Sequence, residues 1–222
     1  LEGIDAFNQL QQLHLSDVRF ANLLPLAGLK QIQSLRLEWG TGQIADLGPL
    51  SQLGTLEELS VNGHRVLDLG PLANLQNLSR LDLIQNKIQN ISPITGLGQL
   101  QELNLQGNQV PEIPSLSAMR ALRSLSLREN RISSYDGIES SSLNYVDLSH
   151  NALKEVRVAN LSNLHHMSLN GNPLKSLSFS DDQSLGALEI RDTGFTNFEA
   201  LENVSDTLGF LEADRNGMTS VE

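Results

Sequence analysis

Residues 78–94 read Leu78-Ser79-Arg80-Leu81-Asp82-Leu83-Ile84-Gln85-Asn86-Lys87-Ile88-Gln89-Asn90-Ile91-Ser92-Pro93-Ile94. The phrase at the head of this stretch, L-x-x-L-x-L, returns along the whole chain. Its first apolar residue falls at Leu10, Ile32, Leu56, Leu78, Leu100, Leu122, Leu143, Leu164, Leu185 and Leu208, at spacings of 22, 24, 22, 22, 22, 21, 21, 21 and 23 residues. A period of this size marks stacked supersecondary units, none of which can bury its apolar face alone. In each unit an alternation such as Leu103-Asn104-Leu105 sends both leucines inward and the middle residue outward. That predicts one short strand per repeat, and the strands stack in parallel.

Three residues beyond the last strand leucine stands an asparagine in six repeats: Asn86, Asn108, Asn130, Asn151, Asn172 and Asn216. A buried amide can satisfy backbone groups of its own turn and of the adjacent one, so these residues read as a structural ladder. Val18, Gly40, His64 and Thr193 hold the place in the remaining repeats, and looser turns are expected there. The return path carries phased prolines at Pro25, Pro49, Pro71, Pro93 and Pro114. Proline fixes φ and has no amide hydrogen, which suits an extended or one-turn 3₁₀ segment. Beyond residue 115 the phased prolines stop, and Val156-Arg157-Val158 and Leu177-Ser178-Phe179 alternate instead. Short outer strands are expected there, with a change of curvature near the sixth repeat. In the second repeat Trp39-Gly40-Thr41-Gly42 holds two extra residues and reads as a rim loop able to make contacts. Tyr135, Phe20, Phe195 and Phe198 fall in apolar phases and are read as core.

The chain reads as one domain over residues 1–222: a partial N-terminal repeat at 1–9, 22-residue repeats with phased proline at 10–121, and 21- to 23-residue repeats at 122–222. Leu1, Ile4 and Phe7 match the back half of a repeat, the periodicity runs unbroken from Leu10 to Met218, and the last repeat, that of Asn216, is truncated. Because stacked repeats need polar caps, the array is expected to belong to a longer protein. With 15 basic against 26 acidic residues the formal charge is -11, which disfavours nucleic acid and anionic lipid as partners. There is no cysteine, hence no disulfide cap, thiolate metal site or cysteine nucleophile in these residues. No apolar run reaches membrane-spanning length.

Taken together, the repeats are identified as leucine-rich repeats. Those around residues 78–94 resemble the 22-residue repeats of bacterial internalins, and the same class is similar to that of a eukaryotic phosphatase-regulatory subunit. The resemblance implies an α/β-class solenoid: a right-handed, curved array of about ten repeats with a parallel concave β-sheet and an irregular, 3₁₀ or short-strand convex side. It also implies a protein partner on the concave face. Repeats from Leu122 onward depart from the internalin pattern.

On that frame one outward column reads His14, Arg36, Ser60, Asp82, Asn104, Ser126, Asp147, Ser168, Glu189 and Glu212. A second reads Gln12, Ser34, Glu58, Arg80, Glu102, Ser124, Tyr145, His166, Ala187 and Phe210. Trp39, Ile84 and His150 are expected to face solvent on the same side. Exposed aromatics and arginines anchor interfaces, so Arg36, Trp39, Arg80, Tyr145, Asp147, His150, His166, Glu189, Phe210 and Glu212 are the candidate partner-binding residues. The acidic C-terminal end of the column suggests a basic surface on the partner.

No metal or cofactor is expected. His150 and the adjacent His165 and His166 have Asp147 nearby, but neighbours on a strand project to opposite sides and supply too few convergent ligands. Sequons at Asn77, Asn90, Asn160 and Asn203 read as accidents of an asparagine- and serine-rich repeat. Nor is there a glycine-rich phosphate loop, G-x-S-x-G elbow or H-E-x-x-H motif. The reading is therefore a non-enzymatic protein-interaction module of a bacterial surface or secreted protein. The alternatives are an intracellular regulatory or scaffold subunit that positions an enzyme such as a phosphatase, and an architectural segment with no partner of its own.

Overall fold

Parallel pairing follows directly from the period, because equivalent residues of successive repeats fall opposite one another. The computed structural model describes residues 1, 3–135, 138, 140, 142–181 and 183–217, so Met218 lies outside the described part. The strands in chain order are β1 (Gln12–Ser16), β2 (Ser34–Glu38), β3 (Glu58–Asn62), β4 (Arg80–Asp82), β5 (Glu102–Asn104), β6 (Ser124–Ser126), β7 (Tyr145–Asp147), β8 (Glu155–Val158), β9 (His166–Ser168), β10 (Ser176–Phe179), β11 (Ala187–Glu189) and β12 (Phe210–Glu212). Among the described residues ten of them form one parallel sheet in the order β1-β2-β3-β4-β5-β6-β7-β9-β11-β12. Its central register aligns Leu59, Leu81, Leu103, Leu125 and Val146. These side chains point inward and are at most 2% exposed, each contributing about 1.5–3 kcal/mol by leaving water.

The outer path changes character midway, as the prolines and then the alternation foretell. Short 3₁₀ helices at Leu24–Gly28, Gly48–Leu50, Gly70–Leu72 and Ser92–Ile94 each carry proline in their first two positions. Two residues before each helix begins, the side-chain oxygen of Asn22, Asp46, Asp68 or Asn90 accepts the N–H of Leu24, Gly48, Gly70 or Ser92 at 2.7–2.9 Å. An Asx turn thus supplies the acceptor for an orphan donor, and proline removes the next one. Around Pro114 the path is irregular. Beyond it β8 and β10 pair in parallel on the outer side, burying Val156, Val158, Leu177 and Phe179. A seven-residue 3₁₀ helix, Phe198–Val204, follows and packs Leu201 and Val204 inward. At the N-terminus Leu1 and Ile4 pack against the core, whereas Phe7 is exposed and departs from the apolar phase.

Amide side chains tie successive turns together. Asn108 Nδ2 donates to the carbonyls of Leu105 in its own turn and Leu83 in the preceding one, both at 2.9 Å, and its Oδ1 accepts the N–H of Ile88 at 3.0 Å. Asn86, Asn130, Asn151 and Asn172 repeat this set, down to the acceptor bond from Val66, Val110, Ile132 and Leu153. Asn216 donates alike to Ile190 and Ala213, but accepts from Thr193 and Gly194.

The turns without asparagine are packed rather than loose, contrary to the expectation from sequence. Val18 and Trp39 share a 2.9 Å backbone bond, and Gly42 N–H donates to Val18 O at 2.8 Å. A Cβ on Gly40 or Gly42 would fall within 2.3 Å of the Val18 or Phe20 backbone. The two glycines therefore serve close backbone approach, and the rim loop of repeat two lies flat on repeat one. Thr193 Oγ1 donates to Ile190 O at 2.8 Å, taking over one amide bond. His64 is buried with neither ring nitrogen hydrogen-bonded, and burial holds its pKa below the ordinary value against an opposing pull from the Leu37 carbonyl.

Candidate functional site on the concave sheet

Strand register puts the two outward columns side by side on one face. His14, Arg36, Ser60, Asp82, Asn104, Ser126, Asp147, Ser168, Glu189 and Glu212 run across it in pairing order, and beside them run Gln12 through Phe210. The N-terminal half is a charge lattice. Arg36 reaches Glu58 at 3.1 Å, and Arg80 spans Glu58 at 3.9 Å and Glu102 at 2.9 Å. His14 lies 3.5 Å from Glu38. The Arg36 hydrogen bond holds the Glu58 carboxyl below the usual carboxylate range, and Glu102 raises the pKa of Arg80. Arg36 and Arg80 are thereby tied down by neighbouring repeats. Asp82 has no hydrogen bond or ion pair among the described residues, and burial pushes its carboxyl upward.

Farther along, aromatic groups replace the lattice. Tyr145 and His166, paired across β7 and β9, bring their ring centroids to 5.0 Å at an interplanar angle of 57°. His166 Nε2 lies 2.9 Å from Glu189 Oε1, while Ser168 Oγ and Asn170 Nδ2 donate to Oε2 at 3.1 and 2.8 Å. Burial, then the charges of Asp147 and Glu189, raise the Tyr145 pKa. Asp147 is only 9% exposed, because its Oδ1 accepts from Ser149 N–H at 2.9 Å and Ser149 Oγ at 2.6 Å. Glu212 pairs with Arg191, which also reaches Asp214 at 3.4 Å. All three carboxylates of the acidic column are engaged within the sheet. Phe210 remains half exposed on the last strand.

Trp39 and His150 stand apart from these columns. Both lie two residues past the last strand leucine and have φ of 54°. This left-handed conformation breaks the alternation and turns the side chain onto the rim where the strands end. Residues 17, 39, 63, 85, 107, 129, 150, 171, 192 and 215, one per repeat, share it. There Trp39 covers Gly63, Gln85 covers Gly107 and His150 covers Gly171; a Cβ on these glycines would meet the covering side chain at 2.3, 3.0 and 2.6 Å. Ile84, one position earlier, is half-buried. On the opposite rim the His165 ring lies over Gly186. The rings of His150, His165 and His166 therefore lead to Gly171, Gly186 and Glu189, three separate places. No cluster of three potential metal ligands exists among the described residues. Two of the sequon amides are occupied, Asn77 donating to Gly54 O and Asn203 to Phe179 O.

Sequence reading passed over Arg120 and Arg123. Both are exposed beside Tyr145 on the rim where strands begin. The signal was present: Arg123 falls in the column of Gln101 and Asn144, which offer it no acid, whereas Arg80 alternates in its column with Glu58 and Glu102.

Comparisons with known proteins agree with this geometry. The family model described as leucine rich repeat matches residues 52–110. A search of curated protein sequences found no match. Among solved structures, an internalin from Listeria monocytogenes shares 22% identity and a TM-score of 0.66 over 91% of this chain and 66% of its own. A leucine-rich repeat protein from Leptospira interrogans shares 21% identity and a TM-score of 0.69 over 93% of this chain and 62% of its own. Internalin C2 of Listeria monocytogenes shares 28% identity and a TM-score of 0.52 over 61% and 69%. The chain thus spans less than two thirds of the first two neighbours. From the period, the parallel sheet, the amide ladder and these likenesses, the chain is a leucine-rich repeat protein whose fold resembles that of the internalins.

Proposed function

We propose that this single-domain array is a non-enzymatic module that binds a protein partner on its concave face, within a bacterial surface or secreted protein. The observation that carries this reading is the Tyr145–His166 ring pair. Two partly exposed rings stand on a rigid parallel sheet, and Glu189, itself held by Ser168 and Asn170, fixes the orientation of His166. Fixed aromatic groups lose little entropy on association, which is what makes them anchors. Trp39 supplies a further apolar surface, 46% exposed, on the rim where the strands end, in the second repeat. The bacterial origin of the structural neighbours and the absence of cysteine support the proposed source and location.

The test is affinity capture from lysate and from surface extracts, comparing the parent with Tyr145→Ser/His166→Ser/Glu189→Lys after circular dichroism shows both folded. A protein retained by the parent and lost, by more than about tenfold, from the variant supports the reading and names the partner. A partner found only in cytosolic fractions favours the regulatory-subunit alternative. Equal capture by both chains removes the C-terminal concave face from consideration.

A further inference from the structure

In an acidic chain whose concave-face arginines are tied to carboxylates, two arginines without a carboxylate partner stand together beside the exposed ring of Tyr145. Arg36, Arg80, Arg128 and Arg191 each reach a carboxylate oxygen. Arg120 and Arg123 have no ion pair or hydrogen bond from their guanidinium groups among the described residues. They line a groove of about 760 Å³ on the rim where β6 and β7 begin, with Ser124, Ser142, Asn144 and Tyr145.

The groove floor is internally satisfied. Ser142 Oγ donates to Leu122 O at 2.8 Å, Asn144 Nδ2 to Asn163 O at 3.2 Å, and the Asn144 N–H to Arg123 O at 2.9 Å. The floor is thus held in place, and the two guanidinium groups are the charged donors it leaves to engage a ligand. Guanidinium presents a planar fork of donors that matches a carboxylate. Adjoining it is the Tyr145 ring, already backed by His166. The combination is a cationic edge beside an aromatic wall, on a molecule whose formal charge of -11 otherwise repels acids.

We infer that this groove receives an acidic segment of the protein partner, with its carboxylates on Arg120 and Arg123 and an apolar or aromatic side chain against Tyr145. This deepens the concave-face reading by naming the partner's chemistry at one end of the same surface, and it rests on that reading. It also reverses the charge expected of the partner. Glu58, Glu102 and Glu212 are paired with arginines and Asp147 and Glu189 accept from neighbouring donors, whereas Arg120 and Arg123 have no such partner, so the complementarity proposed at this groove is for acids.

The probe is a fluorescein-labelled peptide alternating glutamate with tyrosine, set against its lysine counterpart and followed by anisotropy on the whole chain. The glutamate peptide is expected to bind saturably, with affinity falling as salt rises. Arg120→Glu/Arg123→Glu should weaken it by more than about tenfold, and Arg120→Gln/Arg123→Gln by less, with thermal unfolding unchanged. Lys154→Glu/Lys175→Glu, the same charge change on the turns preceding β8 and β10, should alter it by less than about twofold. The inference is overturned if the parent ignores the glutamate peptide at millimolar concentration, if the lysine peptide binds equally well, or if the lysine variant loses as much as the arginine variant. The captured partner separates the two readings. Loss with the Tyr145/His166/Glu189 variant but full retention by the arginine variants leaves the concave face standing and removes the groove. Retention by the former and loss with the latter keeps the groove and moves the contact off the ring pair.

Discussion

His64 places an imidazole where later repeats carry an amide, and its nitrogens find no partner in the turn. Burial therefore favours the neutral ring and lowers the pKa. As pH falls through the ordinary histidine value of about 6.5, the unfolded chain takes up a proton that the folded chain resists. Stability present above that value is then lost progressively on the acid side. His64→Asn should flatten this dependence in thermal unfolding followed from pH 7.5 to 5.0; an unchanged slope would place the acid sensitivity elsewhere. Asn108 is the opposite case, a fully used amide. Asn108→Ala removes four hydrogen bonds and orphans buried backbone groups, a loss of about 3 kcal/mol by urea unfolding. Ser126→Ala on the open face should change stability by less than about 0.5 kcal/mol. That Asn108 is structural was legible in the sequence, because a buried amide recurring in phase has few other uses. That Asp147 is covered was not. A phase argument sees only which face a side chain takes, and the Ser149 hydroxyl that closes over it is a matter of local turn geometry.

At the scale of the element, the rim turn shows where alternation stops being a guide. One left-handed residue follows each strand of the ten-stranded sheet, and at Trp39, Gln85 and His150 the side chain there rests on the next repeat instead of continuing the concave column. The pairs Trp39 with Gly63, Gln85 with Gly107 and His150 with Gly171 become visible in the sequence only when equivalent positions are read across repeats. Gly171→Ala should cost about 1–2 kcal/mol, since φ is +67° and the His150 ring is in the way. Adding His150→Ala should recover the steric part and leave the backbone part, a coupling measurable in a double-mutant cycle. Strict additivity of the two changes would mean the ring does not lean on the glycine. The outer elements were easier to anticipate. The phased prolines announce the short 3₁₀ helices, and Val156-Arg157-Val158 announces β8. Arg120 and Arg123 escaped notice because a charge has meaning only against its neighbours in adjacent repeats.

Over the whole molecule, stability is passed from each repeat to the next, since among the described residues the elements in contact are those of adjacent repeats. Leu103 and Leu211 occupy equivalent inward positions, yet Leu103 is 2% exposed at the middle of the stack and Leu211 is 41% exposed on the last strand. Leu103→Ala should cost about 2–5 kcal/mol and Leu211→Ala less than about 1 kcal/mol. Similar losses in calorimetry would show that the final strand carries a partner that shields it. The amide ladder has a further consequence for the length of the array. Val66 meets Asn86 and Ile88 meets Asn108 at the same separation. Excising residues 87–108 would therefore join Asn86 to Gln109 and hand Asn130 the Leu83 carbonyl in place of that of Leu105. Every inward neighbour is replaced by its equivalent, while Tyr145, His166 and the arginine groove are untouched. The face would shorten by one strand spacing, about 4.8 Å, so its reach is a quantity that can be trimmed in whole steps, and never by a single residue.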